Sequence, residues 1–191
     1  MLVPGYTTPD GAIGATATRR AADHSIIHTY IADPTAYLGE ILKGDVGNDT
    51  LSGDAGNNTI YGFGGNDILD GAAGVDTLFG GDGDDVLYGS DDDDGLKGGV
   101  GDDALYGGNR RDILFGGDGD DALYGGDEDD ALLGESGDDT LDGGDDTDTL
   151  TGGDGSDTFV IRKGDGSSGF IFANRITDFE DGVDRIGLDN G

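Results

Sequence analysis

Cysteine and tryptophan are absent from the 191 residues, and proline occurs only three times. Without cysteine no disulfide framework can stiffen the chain, and thiols give no sign of its redox compartment. So little proline rules out a collagen-like chain or a proline-rich linker. Basic residues are scarce too, 10 against 42 acidic, for a formal charge of −32. Such an anion is no partner for nucleic acid. No apolar run approaches the ~18 residues of a membrane span. The start, MLVPGYTTPD, has neither the basic n-region nor the apolar h-region of a cleaved export signal. Leu, Ile, Val and Phe together make 42 residues, about 22 %, close to the level at which highly charged chains stay disordered. An ordinary two-layer core is hard to build from so few, and a metal is the remaining staple.

Glycine is abundant, with 41 residues against a usual share of about 7 %, so it must have local work to do. Set against itself at a period of nine, the chain gives thirteen consecutive phrases over residues 44–160 without a gap. Position 1 of every phrase is glycine. Position 6 is aspartate except at Asn58. Position 8 is always apolar, from Leu51 and Ile60 to Leu150 and Phe159. One apolar residue in nine is too few for a helix face, whereas three residues such as Ala122-Leu123-Tyr124 alternate out, in, out as a short strand does. The other six make a turn, whose glycines suit backbone with positive φ. A strand that short cannot bury one leucine alone, so the phrases must coil and stack, with leucines from two opposed sheets face to face. The expected fold is all-β, a two-sheet solenoid with 18 residues per coil, in which phrases n and n+2 are neighbours.

Stacking at the ~4.8 Å strand spacing brings the position 6 aspartates into ladders. At an effective dielectric near 20, two adjacent charges repel by ~3.5 kcal/mol, and six successive pairs by ~20 kcal/mol. That exceeds the ~5–15 kcal/mol net stability of a typical domain. Hard divalent cations between the rungs reverse the sign. Oxygen-only ligation in a flexible loop favours Ca²⁺ over Mg²⁺, and zinc would want nitrogen or sulfur.

The phrases, for example GGDGDDVLY at residues 80–88, resemble the G-G-x-G-x-D-x-U-x nonapeptide of the repeats-in-toxin (RTX) family, the haemolysin-type calcium-binding repeats. The resemblance implies a parallel β-roll with calcium between the turns of adjacent coils, held by position 6 carboxylates and loop carbonyls. It also implies a secreted protein that folds where calcium is plentiful. After the array, NRITDFEDGVDRIGL (residues 174–188) resembles the segment that follows the repeats in serralysin-like proteases, which implies a cap on the last coil. In that family an uncleaved type I secretion signal lies near the C-terminus, so the expected location is extracellular without a cleaved signal peptide.

Phrases alternate between the two edges, and the edges differ at position 4. Odd phrases keep glycine there throughout, from Gly47 to Gly155. Even phrases keep Gly56 and Gly74, then carry Asp92, Arg110, Glu128 and Asp146. Non-glycine residues at a positive φ cost ~1–2 kcal/mol each, so the even turns are expected to be reshaped. The odd edge, with Asp49, Asp67, Asp85, Asp103, Asp121, Asp139 and Asp157, is expected to bind calcium regularly, with about six ions between its rungs. The even edge, with Asp76, Asp94, Asp112, Asp130 and Asp148, is expected to bind less regularly, Arg110 and Arg111 placing a guanidinium where an ion would otherwise sit.

Residues 1–43 break the period and are expected to cap the first coil, with a strand at residues 25–31 and a short helix from Asp33-Pro34 to Leu42 that turns Tyr37, Leu38, Ile41 and Leu42 inward. Residues 44–160 form the roll and residues 161–191 the C-terminal cap. His24 and His28 are four apart, but HSIIH lacks the glutamate of a zinc protease helix and reads as polar strand. DDDDG at residues 91–95 is no EF-hand loop, because Ser90 and Gly101 stand at its first and last ligand positions. No serine triad, phosphate-binding loop or distinct carboxylate pair stands out, so no catalysis is expected. At position 9, Tyr88, Tyr106 and Tyr124 fall on one sheet and Tyr61, Phe79 and Phe115 on the other, ladders that stabilise stacked strands. Calcium ions are the expected partner, and calcium-driven folding the expected function. The alternatives are a detached C-terminal module of a secreted metalloprotease or polysaccharide epimerase, or an adhesin offering its aromatic stripes to an extracellular glycan or protein.

Overall fold

The computed structural model describes residues 39–162, 174–180 and 182–189, together with four two-residue strands nearer the N-terminus. Those four pair antiparallel, Tyr6–Thr7 with Ile13–Gly14 and Thr18–Arg19 with His28–Thr29. The expected helix falls largely outside the described residues, as do His24, Tyr37 and Leu38. Its last turn is not helical: Ile41–Lys43 is a strand of the roll, with Leu42 buried and Ile41 half exposed. Alternation, not a 3.6-residue face, decides this end, because Leu42 takes the position 8 place opposite Ile60.

Two eight-stranded parallel sheets make up the rest. Leu87 lies opposite Leu69 and Leu105 in one sheet, and Leu96 opposite Leu78 and Leu114 in the other, so register partners are eighteen residues apart. The array is a β-roll of two phrases per coil. Its core is one row of position 8 side chains from each sheet, Leu42 to Phe159, all at 0–1 % exposure.

The strands are longer than the three residues the alternation suggested. Val86–Asp91 is representative: it runs from position 7 of one phrase to position 3 of the next. It points two residues inward, Leu87 and Gly89. The second inward position is thus the position 1 glycine, and the turn shrinks to three residues. The last coils are covered by Arg175–Ile176, which pairs with Thr149–Asp154, and by Arg185–Asp189, which pairs with Thr158–Arg162.

Candidate metal-binding ladders

The tight turn sends each position 6 side chain inward beneath the bend, and all thirteen are buried. All but Asp49, the first, accept a main-chain N–H from the coil before. Main-chain N–H groups of Asp49, Asp67, Asp85, Asp103 and Asp121 donate to Oδ1 of Asp67, Asp85, Asp103, Asp121 and Asp139 at 2.7–2.8 Å. The odd ladder then reaches Asp157 and ends on Asp184. The even ladder runs in the same way through Asp76, Asp94, Asp112, Asp130 and Asp148 and ends on Asn174.

The second oxygen is different. Oδ2 of Asp67, Asp85, Asp103, Asp121 and Asp139 on the odd edge, and of Asp76, Asp94, Asp112 and Asp130 on the even edge, is buried with no hydrogen-bond partner. Each lies against the position 1 glycine of its own phrase. A Cβ on Gly80 would overlap Asp85 Oδ2 and come within 2.8 Å of the Gly98 carbonyl one coil further on. Position 1 is therefore glycine for space: none of these thirteen glycines has positive φ. The glycines that do need it are at positions 2 and 4, such as Gly81 and Gly83.

Burial dominates the electrostatics of both ladders. It raises Asp94 and Asp130 to about 8, Asp103, Asp112 and Asp121 to about 7, and Asp76, Asp85 and Asp139 to about 6. The N–H bond from the preceding coil pulls each down, and neighbouring carboxylates push most of them further up. A buried, ionised oxygen without a donor is costly. A proton or a cation must complete these groups, and the surroundings supply more oxygen but no donor. Among the described residues no three acidic or histidine side chains converge on a point. The ladders are rows of single carboxylates with main-chain carbonyls for company, a hard-oxygen set that fits Ca²⁺.

The even turns are reshaped only modestly. Asp92, Arg110, Glu128 and Asp146 keep left-handed backbone with φ of 72–80°, where glycines on the odd edge such as Gly101 and Gly119 open to 127° and 139°. A rotation of some tens of degrees accommodates Cβ without changing the bend. The arginine guanidinium groups do not reach the Asp112 carboxylate. Arg110 Nε lies 3.5 Å from Asp92 Oδ1 and Arg111 Nη2 3.2 Å from Asp93 Oδ2, on the surface, while Asp112 Oδ2 below stays unpartnered.

The edges differ instead at position 5, which the sequence reading passed over. On the odd edge it forms a second ladder running the opposite way: N–H of Asn66, Asp84, Asp102, Asp120, Asp138 and Ser156 donates to Oδ1 of the position 5 residue one coil back, at 2.8–3.2 Å. On the even edge it survives only where Asn57 accepts from Val75 and Asp129 from Thr147. The signal was present, since odd phrases carry Asn or Asp at position 5 in all but the last copy. Asn174 and Asp184 were also missed as rungs, although Asn174-Arg175-Ile176 and Asp184-Arg185-Ile186 echo positions 6 to 8. The tyrosines bear out the structural expectation: Tyr106 stacks on Tyr88 and Tyr124 at 5.0 and 4.9 Å, so its ring faces are covered by neighbours.

Stacked coils with inward carboxylates and a glycine-lined cradle define a calcium-binding β-roll. The RTX calcium-binding nonapeptide repeat matches in four copies, at residues 43–78, 71–105, 97–132 and 124–159. The chain belongs to that family. None of the curated proteins compared with it matches.

Proposed function

We propose that both ladders hold calcium ions and that calcium binding completes the fold. The observation that carries this is the row of nine buried Oδ2 atoms without a donor. Calcium would supply the positive charge that lets these carboxylate oxygens stay ionised close to the facing carbonyls. Asp49, Asp67, Asp85, Asp103, Asp121, Asp139 and Asp157 bound six odd intervals. The first is the weakest, because the Asp45 N–H already reaches Asp49 Oδ2 at 2.8 Å. Asp76, Asp94, Asp112, Asp130 and Asp148 bound four even ones.

The sites rest on the roll and the roll on the sites, so folding and binding are coupled. A chain of this charge stays extended where calcium is scarce and winds up where it is plentiful, which favours an extracellular, secreted protein, as RTX repeat proteins usually are. The role is binding and folding, not catalysis. The proposed division is an N-terminal cap, the roll and a C-terminal cap at 1–43, 44–160 and 161–191, and the pairing of Ile41–Lys43 with Thr59–Tyr61 supports starting the roll at residue 41 instead of 44. Circular dichroism of the full chain with and without millimolar calcium tests the reading. A coil-like spectrum should become β-rich on titration, and a spectrum indifferent to calcium and chelator overturns it.

A further inference from the structure

We infer that the first interval of the even ladder, between Asn58 and Asp76, takes no cation, because the Asn58 side-chain amide is built into the place an ion would fill. The inference rests on the calcium reading of the other rungs and concerns the one array position where aspartate is replaced.

Asn58 is 2 % exposed and keeps its place in the ladder: its Oδ1 accepts the Glu40 N–H at 2.9 Å, as the Oδ1 of each even-edge aspartate accepts from the coil before. Its Nδ2 stands where the aspartates carry Oδ2. A Cβ on Gly53 would meet Asn58 Nδ2 at 2.7 Å and the Gly71 carbonyl at 2.6 Å; on Gly89 it would meet Asp94 Oδ2 at 2.5 Å and the Gly107 carbonyl at 2.7 Å. The two cradles match, and only the atom type differs.

That atom donates to three carbonyls. Asp54 and Gly56 belong to its own turn, the former at 3.1 Å, and Gly71, at 3.4 Å, belongs to the next coil. The two amide hydrogens are shared among these oxygens and bridge one coil to the next. Exchanging the amide oxygen and nitrogen would set NH₂ against the Glu40 N–H and a carbonyl oxygen against three others, so the network fixes the orientation. In this rung the chain supplies the positive end of a dipole to the same oxygens that elsewhere face a carboxylate. A cation placed there would meet N–H hydrogens and one fewer negative charge.

Calcium counted per folded chain by equilibrium dialysis tests this. Asn58→Asp should bind one ion more than the wild type, and Asp112→Asn one fewer. An unchanged count for Asn58→Asp, with the expected loss in Asp112→Asn, overturns the inference while leaving the calcium reading intact. No calcium on any of the three overturns both. Should Asn58→Asp fail to fold, exchange of the Asn58 side-chain NH₂ protons in the calcium-loaded wild type decides. Slow exchange is expected, and exchange as fast as that of surface asparagines overturns the inference.

Discussion

The main-chain N–H of Asp85 donates to Asp103 Oδ1 at 2.7 Å, and Asp103 Oδ2, equally buried, has no partner at all. One carboxylate thus does two jobs. Its first oxygen sets the register between coils with a bond the protein makes for itself, and its second needs something the described residues do not supply. Repeated on both edges, that division makes the roll correct in shape but incomplete in charge. The terminal odd rungs show the contrast: the Asp45 N–H reaches Asp49 Oδ2, and the Glu180 N–H reaches Asp184 Oδ2 at 2.7 Å.

The calcium-free roll should be more stable in acid than in base. Burial raises Asp76, Asp85, Asp94, Asp103, Asp112, Asp121, Asp130 and Asp139 from 3.8 to about 6–8, so the folded state binds more protons than the unfolded one across that window. The stabilisation is fully present below about pH 4 and is lost as pH rises through the folded values. In calcium-depleted buffer with about 0.5 M salt to screen surface repulsion, circular dichroism should show a larger β-rich fraction near pH 4.5 than near pH 8.5, where the chain is coil-like. A β-rich fraction that does not rise towards pH 4.5 would contradict the buried ladder.

Gly116→Ala should destabilise the calcium-loaded protein by about 1–3 kcal/mol, as overpacking does. Gly116 has no positive φ, so backbone entropy alone would make alanine the better residue. A Cβ there overlaps Asp121 Oδ2 and comes within 2.7 Å of the Gly134 carbonyl, so calcium affinity should fall as well. Thermal unfolding and a calcium titration check both; a stabilised variant would refute the cradle.

Glu128→Gly should act in the opposite direction. Glu128 is exposed at φ 75° in a turn whose odd-edge counterparts are glycine. Relief of the left-handed strain should raise stability by about 1 kcal/mol. Chemical denaturation in excess calcium measures it, and a loss of stability would mean that the glutamate has a role of its own.

Tyr106→Ala should lower stability by about 1–3 kcal/mol through loss of its two stacked partners, each such pair contributing about 0.5–1.5 kcal/mol. Calcium stoichiometry should not change, since the ring lies on the outer face of its sheet at 37 % exposure. A variant that keeps its stability, or loses ions, would remove the structural role assigned to the stripe.

The nine-residue period by itself determined the coil, the pairing of phrases n and n+2, the leucine core and the two rows of position 6 aspartates. These follow from alternation and stacking, which act on every copy alike and so survive averaging over thirteen. Only the tertiary structure decided what one phrase does to the next coil. Position 1 is glycine because Gly80 faces Asp85 and the Gly98 carbonyl, a contact invisible to φ propensity. Asp92, Arg110, Glu128 and Asp146 hold left-handed turns because a modest change in φ frees their Cβ, so strain counted from sequence overstated the reshaping. Ile41 and Leu42 read as the end of a helix because a single incomplete phrase carries no period, yet the open sheet beside Ile60 claims them as a strand. The direction of a carboxylate, one oxygen on an N–H and the other facing carbonyls, is set by the neighbour eighteen residues away, and no local pattern encodes it.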